Sequence, residues 1–318
     1  MSSLLSVEKR SNEDNSTPSF FCLEAQELLD MKARKKWVGT RTGAMKERKR
    51  RIATVLAFIL ITAGVLSYFA YTRLNTSSDP TVNPASTQAK AAIIDQLSLT
   101  FPNQTFIDAV VEILHNANYT VDYYSGEEVT VEFYRTLPTY GYKIIILRVH
   151  SALGDNLKPP LALFTSEPYS RTKYGGEQLA NQLVEVVYDS QNSSSIPYFG
   201  VWPEFIRNGM NGRFQKSVVF LMGCNGMTYN DTAAAFVDRG AGACIGWFGP
   251  VSAPHTDQTT TRLLQHFLVE EKTLQESTQE TFREVGLDPS CVNMLSCFPK
   301  SAANQTIGNI ERVGQSAG

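Results

Sequence analysis

The sequence predicts an α/β fold, a three-layer open and mainly parallel sheet with helices on both faces, preceded by one transmembrane helix. Three observations predict it. Short, almost continuous apolar runs, such as "YKIIILRVHS" (142–151) and "KSVVFLMGC" (216–224), read as strands covered on both sides. Stretches with helical apolar spacing alternate with them, as in strand–helix–strand units. A run of 21 uncharged residues, "IATVLAFILITAGVLSYFAYT" (52–72), reaches roughly 30 Å as a helix, the thickness of a bilayer core.

Residues 1–51 are polar and then basic, and read as a mostly disordered cytoplasmic tail. Ten Lys and Arg residues crowd positions 32–51, opposed there only by Glu47. They abut the apolar run, whereas Arg73 and Lys90 are the first basic residues beyond it. Positive flanks stay cytoplasmic, so residues 73–318 are expected outside, on a single-pass membrane protein. The partners expected here are membrane lipid, through residues 52–72 and the basic tail against anionic headgroups. Residues 73–90 are rich in Ser, Thr, Asn and Pro and read as a stalk. Asn75, Asn103, Asn118, Asn192, Asn230 and Asn304 each begin an Asn-x-Ser/Thr triplet, which suits an external glycoprotein. The whole chain has 318 residues, 42% hydrophobic and 19% charged, with net charge −2. That balance excludes a disordered protein and gives no general attraction to nucleic acid.

The folded domain is expected over 91–290, with 291–318 a C-terminal extension. Within it "AAIIDQLSL" (91–99) reads as a strand and "NQTFIDAVVEILHNAN" (103–118) as a helix with Phe106, Val110, Ile113, Leu114 and Ala117 on one face. "YTVDYYS" is a strand and "EEVTVEFYRTL" a helix by its length and position. Residues 152–214 are irregular, with "LALFTSEPYS" and "QLVEVVYDS" forming a hairpin. Order returns with the strand 216–224, the helix "YNDTAAAFVDRGA" stopped by Gly240, and the strand "ACIGWFGPV". Two helices follow, "QTTTRLLQHFLVEE" and "TLQESTQETFREVG", the second ended by Gly286.

Sites in open α/β sheets form beyond the carboxyl ends of the strands. Two strands end in notable residues, one in His150-Ser151 and one in Gly223-Cys224. If those strands are neighbours, an imidazole and a thiol share one edge. The imidazole, or N–H groups of the helix starting near Tyr229, would favour a thiolate, and the imidazole would then protonate a leaving amine. Cys224 has two other readings, a small core residue or a partner of Cys244 in a disulfide. Cys291 and Cys297, close in sequence, are the expected disulfide. His255 is a second candidate partner for Cys224, while His115 and His266 fall on the polar sides of their helices. Asp231 and Asp257 either select a basic substrate side chain or cap helices. No spacing resembles a metal site or a phosphate cradle, so no cofactor is expected.

A strand ending in His plus a small residue, then a strand ending in Cys, resembles the caspase-like cysteine peptidases: caspases, legumains, gingipains and bacterial CHAT domains. The stretch "GCNGMTYNDTAAAFVDRGAGACIGWFGPVSAPHTDQTTTRLLQHFL" is similar to the gingipain and CHAT arrangement. There a helix ends in Gly-Ala (here 236–241), a strand with Gly-Trp follows (245–251), and a long helix completes the unit (259–268). The resemblance covers roughly 90–290, most strongly 140–270. It implies that His150 is the general acid/base, Cys224 the nucleophile, and the backbone N–H groups of Ser151 and Cys224 an oxyanion hole. The family's histidine is usually followed by glycine, where this chain has Ser151. The expectation is a membrane-anchored extracytoplasmic cysteine endopeptidase, a hydrolase acting on a peptide or protein substrate. The alternative is a non-catalytic, membrane-tethered binding or assembly module of the same fold.

Overall fold

The computed structural model describes residues 88–188 and 195–312. The expected tail, membrane span and stalk lie outside the described residues, as do Asn75 and Asn192. Among the described residues no helix is long and apolar enough to cross a membrane.

The chain enters through β1 (Ala89–Asp95), α1 (Gln104–Asn116) and β2 (Tyr119–Ser125), then α2 (Val131–Thr136) and β3 (Ile144–Arg148). Next come β4 (Ser151–Gly154), β5 (Lys158–Pro168), α3 (Gly175–Leu179), β6 (Leu183–Val186) and β7 (Tyr198–Val201). The last part holds β8 (Val218–Leu221), α4 (Asp231–Asp238), β9 (Ala243–Phe248), α5 (Ala253–Leu264), α6 (Leu274–Val285), β10 (Met294–Phe298) and α7 (Ile307–Arg312).

Six strands form one sheet in the order β10-β9-β8-β3-β1-β2. Every pair in it is parallel except β9 with β10. The fold is therefore α/β with a mixed, mostly parallel sheet. The central strand β3, "IIILR", is buried at all five positions, which is why its sequence lacks alternation. Successive side chains of a strand point to opposite faces, and each face has its own core. Ala91 and Ile93 join Phe106, Val110 and Leu114 of α1 and Leu263 and Leu264 of α5. Ala92 and Ile94 join Phe133 and Tyr134 of α2 and Ala233 and Phe236 of α4.

Four differences from expectation have physical reasons. The strand expected over 91–99 stops at Asp95, and Gln96–Leu99 turn into a 3₁₀ segment. The two segments expected to pair as a hairpin do not touch as neighbours: β7 lies between β5 and β6, giving a second, antiparallel sheet ordered β4-β5-β7-β6. Its Leu161, Leu163, Phe199 and Val201 sink into the core shared with α2 and α4. The segment after 290 is no mere extension, because β10 pairs along β9 and Ile310 of α7 is buried. His266 is buried rather than solvated. The end of its helix widens into a π turn over Gln265–Val269, and its Nδ1 sits 3.1 Å from Glu270 and its Nε2 3.3 Å from Glu284 of α6. His115 is exposed, as its place on the polar side of α1 implies.

Gly240 ends α4 as expected, at φ +109, and a Cβ there would lie 2.3 Å from the Phe214 carbonyl oxygen. The α1 terminus is capped by Asn103, whose Oδ1 accepts the Phe106 N–H at 3.1 Å. The Asn103 amide also donates to Asp257 at 2.8 Å, so this sequon has a structural task, while Asn118, Asn230 and Asn304 are exposed.

One charged residue sits at the carboxyl end of β3. Arg148 is fully buried, and its guanidinium bonds Asp257 through Nε (2.7 Å) and Nη2 (2.8 Å). Nη1 donates to Asp95 at 2.6 Å and Nη2 also to the Phe101 carbonyl at 2.8 Å. Two carboxylates thus share one guanidinium away from water, and burial pushes the Asp95 carboxyl above its usual range despite Arg148. Asp257 therefore neither selects a substrate nor caps a helix: it is buried as the partner of Arg148. Removing one member of such a set strands the others. Arg148→Met is expected to lower the unfolding free energy by about 3–5 kcal/mol, read by urea denaturation; a loss below 1 kcal/mol contradicts this account.

Candidate active site

β3 and β8 are parallel neighbours, and Leu147 pairs with Leu221. His150 and Cys224 each stand three residues beyond that pair, so matched register brings them to one rim. Both line a cavity of about 270 Å³ at the carboxyl ends of the strands. Val149, Ser151, Met222 and Gly223 line it from the same two loops.

The two loops approach very closely. A Cβ on Gly223 would lie 2.3 Å from the Ser151 Oγ and 2.5 Å from the Val149 carbonyl oxygen. Only glycine fits there. The Ser151 hydroxyl donates to the Cys224 carbonyl at 2.6 Å and ties the loops together. Ser151 opens β4 and its backbone is not left-handed, so a serine sits there without strain.

His150 is held on several sides. Its backbone N–H donates to the buried Gln96 Oε1 at 2.9 Å, and Gln96 in turn donates to the Tyr188 hydroxyl. Its Nε2 lies 2.9 Å from the Thr100 hydroxyl. The ring packs 4.8 Å from Tyr188, 5.9 Å from Phe164 and 6.0 Å from Phe101, centroid to centroid. Burial, assisted by the charge of Arg148, pushes its pKa down to about 4. The imidazole is thus neutral near pH 7 and a weaker base than a free imidazole.

The Cys224 sulfur meets the loop after β9. The Val251 N–H approaches it at 3.4 Å and the Val251 carbonyl at 3.5 Å. Among the described residues no hydrogen bond joins this thiol to the His150 ring, whose Nε2 is engaged by Thr100. The expected helix terminus near Tyr229 is not the donor at the sulfur. α4 starts at Asp231, after a turn closed by Thr228 N–H on the Asn225 carbonyl (3.0 Å), and Val251 supplies the N–H instead. The oxyanion donors implied by the resemblance, the N–H groups of Ser151 and Cys224, belong to residues that line the cavity.

The remaining expectations fare unevenly. Cys224, Cys244, Cys291 and Cys297 are all free thiols, so the expected Cys291–Cys297 bridge is not formed. Cys297 is fixed within β10 opposite Ile245, while Cys291 lies in the loop before it. Cys244 is fully buried at the opposite end of the sheet from Cys224, paired in register with Val219. His255 is buried against Trp247, 5.4 Å between rings, and does not line the cavity. Asp231 lies in the first turn of α4, outside the cavity. A group of His266, Glu270 and Glu280 brings ligand atoms within 4.8 Å of one another, but the Lys272 ammonium already bonds both carboxylates. Sequence reasoning missed Gln96, Thr100, Tyr188 and Val251. Gln96 alone left a signal, an amide placed directly after an apolar strand.

No protein-family model matches this chain, and no curated protein matches it. Its chemistry must be argued from its own residues.

Gly223→Ala is expected to lower stability by about 1–3 kcal/mol through overpacking, read as a drop in melting temperature; an unchanged melting temperature contradicts the close approach. The His150 ring should titrate near pH 4 by NMR. Its pKa is depressed from 6.5, so the unfolded chain binds a proton that the folded one refuses. The stability it contributes is present above about 6.5 and lost as pH falls through about 4, and His150→Gln should flatten that part of the pH profile.

Proposed function

We propose that this domain is a caspase-like cysteine endopeptidase, a three-layer α/β hydrolase carried on a single membrane-spanning helix and acting outside the cytoplasm. The observation that carries the reading is the matched register of β3 and β8, which brings a neutral imidazole and a free thiol to one cavity. The membrane helix, the orientation and the glycoprotein character rest on the uncharged run 52–72, the basic flank before it and the exposed sequons.

The chemistry runs in two halves. His150 takes the Cys224 thiol proton, and the thiolate attacks a peptide carbonyl carbon to form a tetrahedral oxyanion. The N–H groups of Ser151 and Cys224 are the donors for that oxygen. The C–N bond breaks, the proton on His150 passes to the departing amine, and a thioester remains. Water then adds to the thioester with His150 taking its proton. The C–S bond breaks, the acid leaves, and the proton returns to sulfur. Turnover requires a ring nitrogen of His150 to come within hydrogen-bond reach of the thiol, and catalytic hydrogen bonds that are long in a free site tighten when substrate binds. The Thr100 contact also favours the second reading, a non-catalytic tethered module, because it engages the imidazole Nε2 in the free protein and no hydrogen bond among the described residues joins the ring to the thiol.

An acyloxymethyl ketone peptide probe separates the two. Covalent labelling of the native chain, lost in Cys224→Ala and reduced at least a hundredfold in His150→Ala, is the expected result, read by mass mapping. Labelling that survives Cys224→Ala, or hydrolysis unaffected by it, removes the peptidase reading.

A further inference from the structure

Apart from the thiol and the imidazole, the cavity is chemically uniform. Its other walls include Leu97, Phe101, Met222, Val251, Ala253 and Pro254, and among the described residues no Asp, Glu, Lys or Arg lines it. The polar groups at its edge are bonded within the protein. The Thr256 hydroxyl accepts the Trp247 indole N–H at 2.8 Å and donates to the Met222 carbonyl at 2.9 Å. The Ser151 hydroxyl is spent on the Cys224 carbonyl, and the Ser252 N–H on Asp288 at 2.8 Å. The acid nearest in sequence to that wall, Asp257, is buried and matched to Arg148.

Given the reading of Cys224 as an acylated nucleophile, on which this rests, we infer that the cavity receives an uncharged apolar side chain, of the Leu, Met or Phe kind, from the residue whose carbonyl is attacked. The argument has two sides. The cavity, of about 270 Å³, would offer water few free polar partners among the described residues. An apolar side chain displaces such water with gain. A charged side chain would lose its hydration and find no opposite charge, so it is rejected. Cys224 forms part of the same wall, so the side chain that fills the cavity is adjacent to the bond attacked.

Peptide aldehydes that differ only in the residue carrying the aldehyde provide the test. They are scored by protection of Cys224 in the full chain against iodoacetamide, followed by mass mapping. Leu, Met and Phe aldehydes are expected to protect at concentrations about tenfold or more below those needed for Asp, Asn, Lys and Arg aldehydes. Equal or better protection by a charged member overturns the inference, as does failure of every aldehyde to protect. This readout needs no turnover. Hydrolysis of the matching coumarylamides, measured beside it, reports on the peptidase separately: protection without hydrolysis keeps the apolar preference and removes the peptidase. Ala253→Asp offers a second arm. Ala253 is the first residue of α5, where an acidic side chain suits the helix dipole, so the fold should tolerate it. This variant is expected to move the preference about tenfold toward Lys and Arg aldehydes, and an unchanged preference overturns the inference.

Discussion

The guanidinium of Arg148 is the interaction on which the rest of this rim depends. It emerges at the end of the central strand and holds Asp95 from the end of β1, Asp257 from α5 and the Phe101 carbonyl from the loop between β1 and α1. Three separate segments are fixed by one planar fork, which a lysine could not match in geometry. A buried set of charges is poor evidence for stability as such, because desolvation offsets much of the attraction. Its value here is positional. Leu97, Phe101 and Thr256 are carried to the cavity by the elements that Arg148 ties down.

The same charge acts on the chemistry. His150 stands two residues beyond Arg148, and burial with that neighbouring charge keeps its imidazole unprotonated. A depressed pKa makes the ring a weaker base than free imidazole; in the proposed mechanism it favours the later step, in which the protonated ring gives its proton readily to the departing amine. The N–H of Val251 meets the Cys224 sulfur at 3.4 Å from the loop after β9. Arg148, which helps to set the charge state of the ring, does not itself line the cavity.

Much of the main sheet was legible in the sequence, because buried parallel strands write themselves as unbroken apolar runs, as in "IIILR" and "VVFL". The placing of His150 and Cys224 on one rim was legible for the same reason. The second sheet was not. β6 and β7 have four residues each and pair antiparallel through an order that no local signal encodes, since β7 inserts between two segments that look like hairpin partners. β10 was missed because an edge strand, "MLSCF", is only partly buried and carries no strong pattern. Asp257 and His266 look like surface residues on their helices until their partners, Arg148 and Glu284, arrive from elsewhere in the chain.

The 73 residues between His150 and Cys224 hold the whole of the second sheet, and Phe164 of β5 and Tyr188, just beyond β6, wall in the imidazole. This has a consequence for how the domain comes into being. The β3–β8 ladder can close only after that long intervening segment is in hand, and contacts of such high sequence separation form slowly. The Cys224 thiol and the His150 imidazole therefore start far apart in the nascent chain, and the rim that holds them both is expected to be among the later parts of the main sheet to form.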